Sequence, residues 1–193
     1  KGFKGIEMTE IGLLSEAGAL AFSDGYNEIK NARVMRNALT YAKNFDALIM
    51  QHNQHKDLSD HGVMNEGKVS LRLGLPGSPA ASEIISLERD LRLLELTKSR
   101  YHALSISTRG SLDVIKKAKE LQLNVTTGIS INNLMLNEND IGAYRTFHKL
   151  RPPLRTEEDR VSMVEALSNS DLLDVIISSH DPQDTETKRR PFI

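Results

Sequence analysis

Apolar runs of strand length alternate along this chain with longer stretches whose apolar residues recur every three to four positions. Residues 17–22 (AGALAF) are short and apolar and end at the turn pair Asp24-Gly25. Residues 31–44 place Val34, Ala38, Leu39 and Ala42 on one helical stripe, with Arg33, Arg36 and Lys43 off it. Residues 46–51 (DALIMQ) form the next apolar run, and residues 52–70 follow as polar chain that fits neither period. Ser78-Pro79 reads as an N-cap with Pro at the first helical position, which predicts a helix to about Lys98. Its stripe carries Ile84, Leu87, Leu91 and Leu94. Residues 101–107 then predict a strand, and 111–121 a helix bearing Leu112, Ile115, Ala118 and Leu121. Residues 123–129 are β-branched and strand-like. Thr156 followed by Glu157, Glu158 and Asp159 predicts an N-cap and acidic first turn for a helix over 156–168, and residues 173–178 (LDVIIS) the last strand.

Five strands separated by helices predict an α/β fold of parallel βαβ units with right-handed crossovers. A doubly wound sheet accommodates five strands, but no G-x-G-x-x-G phosphate loop follows any of them. A closed (β/α)8 barrel needs about 250 residues, so a barrel reading places its remaining strands outside these 193 residues. The chain opens on Lys1 and stops at Ile193 in mid-pattern, and is read as one partial domain over residues 1–193. Composition narrows the function. With no cysteine, a disulfide scaffold, a cysteine-ligated zinc finger and a thiol nucleophile are excluded. Lysine and arginine number 25 against 26 acids, which argues against nucleic acid as a partner. No run approaches a membrane span, and no signal-peptide pattern opens the sequence.

Chemistry in parallel α/β folds sits at the carboxyl ends of strands. Those ends hold Asp24 and Gly25, His52, Ser105, residues 129–133, and Ser179-His180-Asp181. A hydrolytic metal site wants three or four nitrogen or oxygen ligands and an open position for water. Asp24, His52, His180 and Asp181 are the side chains able to supply them. Each also has a plain reading. His52 and His55 lie in a polar loop, Asp24-Gly25 is ordinary turn chemistry, His102 is a packing or edge position, and Asp181-Pro182 initiates a turn.

The segment Gly62-Val63-Met64-Asn65-Glu66-Gly67, with Leu73-Gly74-Leu75-Pro76-Gly77 and Pro79, resembles the GVMNEG…LGLPG-x-P signature of class I dihydroorotases. Ser107-Thr108-Arg109-Gly110-Ser111 resembles that family's V-S-T-x-G-S segment. Pro152-Pro153-Leu154-Arg155 with Glu157-Glu158-Asp159 resembles N-P-P-L-R-x-x-E-D. Val34-Met35-Arg36 matches as well, and the stretch from Asp174 to Lys188, Pro191 and Phe192 resembles the family's D-A-I-A-T-D-H-A-P-H…K-x-x-P-F ending. The resemblance implies an amidohydrolase-type (β/α)8 TIM barrel in which the strands found here are the fourth to the eighth. It also implies zinc, the interconversion of carbamoyl-aspartate and dihydroorotate, and a cytoplasmic place in pyrimidine biosynthesis.

Residue by residue, the implied site is degenerate. The metal-binding acid of the family's D-D-G turn falls on Gly25, and Asp24 matches the non-ligand acid. His52 matches a ligand histidine. The next ligand histidine falls on Ser105, and the aspartate that is both ligand and general base falls on Ser179. At substrate positions Arg151 stands for asparagine, Gln183 for histidine, and Asn132-Asn133 for the paired histidines of a P-H-H turn; His180 matches a non-ligand histidine. Serine hydroxyls are poor ligands to a hard or borderline cation and poor proton shuttles, and glycine offers nothing. The sequence therefore predicts no catalytic residues and no cofactor. It predicts a structural subunit resembling the zinc-free dihydroorotase-like chains that partner aspartate transcarbamoylase, with homo-oligomers also compatible. The alternative is an active zinc-dependent amidohydrolase whose metal has moved to Asp24, His52, His180 and Asp181.

Overall fold

The computed structural model describes residues 2–169 and 171–192. The strands that carry the architecture are β1 (Ala21–Phe22), β2 (Leu48–Gln51), β5 (Arg100–Ala103), β6 (Val125–Ser130) and β7 (Val175–Ile177). They form one parallel sheet in the order β1-β2-β5-β6-β7, with registers such as Ile49 opposite Tyr101 and Gly128 opposite Val175. Spatial order follows chain order with no reversal. A doubly wound sheet reverses at its switch point, so this is a run of neighbouring barrel strands.

Each predicted strand is present, shorter than its apolar run. The regular strand of the 101–107 run ends at Ala103, although the Leu104 and Ile106 amides still donate to the Gln51 and Gly128 carbonyls as the chain carries Ser105 and Ser107 past the end of the sheet. The stretch 52–70, which fits neither period, is built from short elements. It holds α3 (Lys56–Ser59), β3 (Met64–Asn65) and the start of α4 (Lys68–Leu73), and β3 pairs in parallel with β4 (Gly77–Ser78) in a separate two-stranded ribbon. Elements this short carry no readable period. An early helix, α1 (Ile11–Glu16), also went unpredicted for the same reason.

The helices between the strands pack on the sheet. In α2 (Ala32–Lys43) the Asn31 side chain accepts from the Arg33 and Val34 amides, and Met35, Ala38, Leu39 and Ala42 are buried. Met35 takes the place the stripe assigned to Val34. The long helix α5 (Ala80–Thr97) buries Leu87, Leu91 and Leu94, but also Glu83 and Asp90. Its N-cap is Pro79, not Ser78, which β4 claims for pairing. Helix α6 (Arg109–Glu120) starts two residues before its predicted onset, because Thr108 accepts the Ser111 amide as its cap. A short α7 (Ile131–Met135) follows β6, and α8 (Glu157–Asn169) opens at Thr156, whose hydroxyl accepts the Asp159 amide at 3.1 Å. Near the end lies α9 (Thr185–Arg189).

One apolar cluster joins α2, α5 and α6 to the sheet, with Leu39, Leu87 and Ile115 fully buried. Burial of each such side chain contributes about 1.5–3 kcal/mol. A smaller cluster of Met64, Val69, Leu75, Ile141, Leu154 and Phe192 seats the β3–β4 ribbon. Gly128 in β6 shows how closely the strand ends approach. A methyl group there would lie 2.3 Å from the Leu104 carbonyl oxygen, so backbone must move. Gly128→Ala is expected to cost about 1–3 kcal/mol in a urea titration; an unchanged midpoint would refute the contact.

Candidate functional site

The carboxyl ends of the strands open onto a cleft of about 860 Å3. After β1, Asp24 is half-buried and its Oδ2 accepts the Gly5 amide at 2.8 Å. Gly25 is exposed with φ +64°, and its amide donates to Ser23 Oγ at 3.0 Å. A left-handed turn with no side chain closes this strand end.

His52 follows β2 directly and is 2% exposed. Its Nε2 is hydrogen-bonded to Gln54 Oε1 at 3.2 Å, and its ring meets Tyr26 edge-on at 5.6 Å between centroids. Gln54 is fixed in turn, since its Nε2 donates to Ser78 Oγ at 3.3 Å. Tyr26 and Gln54 both line the cleft, so they stand between it and the imidazole. Burial lowers the His52 pKa. The Gln54 hydrogen bond and the Glu83 charge oppose that, and the Arg151 and Arg155 charges add to it. The ring is thus neutral at pH 7, with Nε2 committed to Gln54.

Ser105, two residues beyond β5, is buried at 3%. Asn132 and Asn133 lie in α7; Asn133 is 4% exposed and its Nδ2 donates to the Pro153 carbonyl at 3.0 Å. After β7, Ser179 takes φ +48°, His180 points its amide at Ser178 Oγ at 3.3 Å and is exposed, and Asp181 accepts from Gln183 Nε2 at 3.2 Å. Of the residues singled out in the sequence, Asn132, Asn133, Arg151, Ser179, Asp181 and Gln183 line the cleft together. Asp24, Gly25, His52, Ser105 and His180 do not line it. Among the described residues no three His, Asp or Glu side chains converge as a metal site. Asp24, His52, His180 and Asp181 are accordingly not brought together, because Asp24 is turned to Gly5 and His180 to solvent.

The residues of this stretch at the positions where the resemblance expects ligands do not by themselves fit zinc: they are one committed imidazole, two serine hydroxyls and a glycine, with the Arg151 charge felt at His52.

Below the cleft lies a buried network that the motifs contain but pattern reasoning did not assemble. Glu83, 1% exposed, accepts from the Ser107 amide at 2.8 Å, the Thr108 amide at 3.1 Å, Ser111 Oγ at 2.6 Å and Ser107 Oγ at 2.5 Å. Arg155, 2% exposed, lies 3.7 Å from Glu83 Oε2 and donates to Ser107 Oγ, Asn65 Oδ1 and the Ser78 carbonyl at 2.9–3.0 Å. Asn65 Nδ2 donates to Glu138 Oε2 at 2.7 Å. The network ties the β3–β4 ribbon to α5, α6 and the chain leading into α8. Glu83 was findable: an acid spaced four residues from Leu87 on an apolar stripe must be paired when it folds inward.

Comparison with known proteins agrees with this architecture. A model of the family described as "Dihydro-orotase-like" matches residues 2–111. The chain is 42% identical over 186 residues to a dihydroorotase of Ehrlichia canis, covering 96% of this chain and 41% of that protein. It is 38% identical over 192 residues to a dihydroorotase of Endomicrobium trichonymphae, covering 100% and 45%. The chain therefore spans less than half the length of these relatives. Among solved structures it superposes on D-hydantoinase from Bacillus sp. AR9 with TM-score 0.78 at 20% identity, over 96% of this chain and 45% of that one. Against a dihydroorotase from Campylobacter jejuni the TM-score is 0.64 at 12% identity, over 92% and 51%. These two likenesses concern the fold, a partial amidohydrolase TIM barrel.

Proposed function

The chain belongs to the dihydro-orotase-like family of amidohydrolases, and from that premise we propose a dihydroorotase-like barrel of pyrimidine biosynthesis that has lost zinc hydrolysis and supports assembly of aspartate transcarbamoylase. One contrast carries this reading. The signature residues Asn65, Ser107 and Arg155 remain joined in a buried network, while Gly25, Ser105 and Ser179 occupy ligand positions. Selection for shape without chemistry leaves that pattern. Zinc would supply a Lewis acid and an activated water, and the residues present give it neither anionic ligands nor a general base. A cytoplasmic setting goes with the pathway. The relocated metal site has no observation in its favour, since its four residues stand apart.

The test is made on the full-length protein. Zinc is expected far below one ion per chain after dialysis, and carbamoyl-aspartate cyclisation at background. Ser179→Asp alone should not restore it, because Gly25 and Ser105 leave a metal unheld; rescue by that single change would show that metal was bound all along. Chelator should leave melting temperature and co-purification with aspartate transcarbamoylase unchanged, since only a ligand bound to the folded state stabilises by linkage. A complex that dissociates on chelation, or a transcarbamoylase fully assembled and active without this chain, overturns the structural role.

A further inference from the structure

Two helix faces at opposite ends of the sheet carry opposite charge. On α2 the charged residues are Arg33, Arg36 and Lys43, all exposed, and no acid occurs between Ala32 and Lys43. On α8 they are Glu157, Glu158, Asp159 and Glu165 against the single cation Arg160. Arg160 pairs with Glu157, and Asp159 accepts from the Arg109 amide and the Thr156 hydroxyl. Glu158 and Glu165 are exposed and, like the three α2 cations, hold no ion pair among the described residues. The acids that flank α2 do not neutralise it, since Glu28 is held by Arg89 at 3.1 Å and Asp46 by Arg100 at 3.0 Å. On α6, beside α8, exposed Lys116 and Lys117 are interspersed with Asp113 and Glu120, so the acidic excess belongs to α8.

The spacing matches as well. Arg36 and Lys43 lie seven residues apart with Thr40 between them on the same face. Glu158 and Glu165 also lie seven apart, with Val161 between them, itself 38% exposed. Seven residues span about 10.5 Å of helix, so laid antiparallel the two faces set Lys43 against Glu158 and Arg36 against Glu165. The helices belong to the first and last crossovers of the sheet, β1 to β2 and β6 to β7, with α5 and α6 between them. The α2 of one chain therefore does not reach its own α8.

We propose that α2 of one copy docks on α8 of a second copy, a head-to-tail contact in which Arg36 and Lys43 meet Glu165 and Glu158. Different surfaces on the two sides make the contact heterologous, so it closes as a ring or continues as a row of copies. Exposed ion pairs each contribute little, and Val161 with the aliphatic stems of the basic side chains adds a modest apolar contact. The association is therefore weak and falls with salt. It is independent of the non-hydrolytic reading, because neither helix lines the cleft.

The experiment is sedimentation velocity of the full-length protein at low and high ionic strength. At low ionic strength a concentration-dependent assembly is expected, and added NaCl should weaken it. One variant reverses α2 (Arg36→Glu with Lys43→Glu) and another reverses α8 (Glu158→Lys with Glu165→Lys). Each should weaken self-association about tenfold or more, because like charges then face each other, with circular dichroism confirming the fold. An equimolar mixture of the two variants should associate again, since each supplies the native face the other lacks. Lys68→Glu, on α4, should change nothing. An assembly indifferent to concentration and salt, unchanged self-association in either reversed variant, or a mixture that stays apart overturns the proposal. Loss of transcarbamoylase co-purification on reversing α2, with self-association unchanged, also overturns it and assigns the face to that partner.

Discussion

Arg155→Met should destabilise the protein by about 3–5 kcal/mol, because it leaves the Glu83 carboxylate buried without its cation. Glu83 and Arg155 are 1% and 2% exposed, so water cannot replace the lost partner. Asn65 Oδ1 and the Ser78 carbonyl lose their donor in the same step, and both belong to the β3–β4 ribbon. The loss should spread to the ribbon and to the small cluster of Met64, Leu75 and Leu154 beneath it. Urea unfolding of Arg155→Met, Glu83→Gln and the double variant measures this. The double variant should cost less than the two singles together, since no uncompensated charge remains. A single-variant cost under about 1 kcal/mol would mean that the network is not what holds the ribbon.

Asp90 gives the second large effect, and its sign is set by burial. The side chain is fully buried on α5, where Oδ2 accepts from Gln51, Asn53 and Tyr101 and Oδ1 from Arg89. Desolvation raises its pKa to about 6, against the opposing pull of Arg89. An acid raised in the folded state binds its proton more tightly there than in the unfolded chain. The stability it contributes is therefore full below about pH 4 and is lost as pH rises through 6. Relative to Asp90→Asn, the native protein should lose on the order of 1–3 kcal/mol between pH 4 and 7. A difference that grows in the other direction would mean that Arg89 and the donors outweigh desolvation. Asp90→Ala should cost about 3–5 kcal/mol near pH 4, because Arg89, Tyr101 and Gln51 are then left facing a void, and that cost should shrink by the same amount as pH rises through 6.

Both effects arise on one helix whose pattern was only half legible. Spacing of Leu87, Leu91 and Leu94 was enough to place α5 and its inward face, since periodicity depends on neighbours three and four residues away. Glu83 and Asp90 share that face, but nothing within α5 says which residues meet them. Their partners lie elsewhere in the chain, Ser107 being 24 residues from Glu83 and Gln51 39 from Asp90. The ribbon of β3 and β4 escaped for the opposite reason: two-residue strands hold too few positions for a period, and their existence depends on Arg155 and the cluster below them.

The sequence by itself determined the order of strands and helices and the family, and placed Gly25, Ser105 and Ser179 where the resemblance expects ligands. A side chain's chemical capacity is local, and glycine cannot coordinate a metal wherever the fold carries it. Only the tertiary structure decided that Asp24 turns to Gly5, that His52 is closed off by Gln54 and Tyr26, and that Asn65 meets Arg155 from 90 residues away. Those are relations between distant segments, set by how the sheet curves and the loops close over its carboxyl end, and no local spacing encodes them.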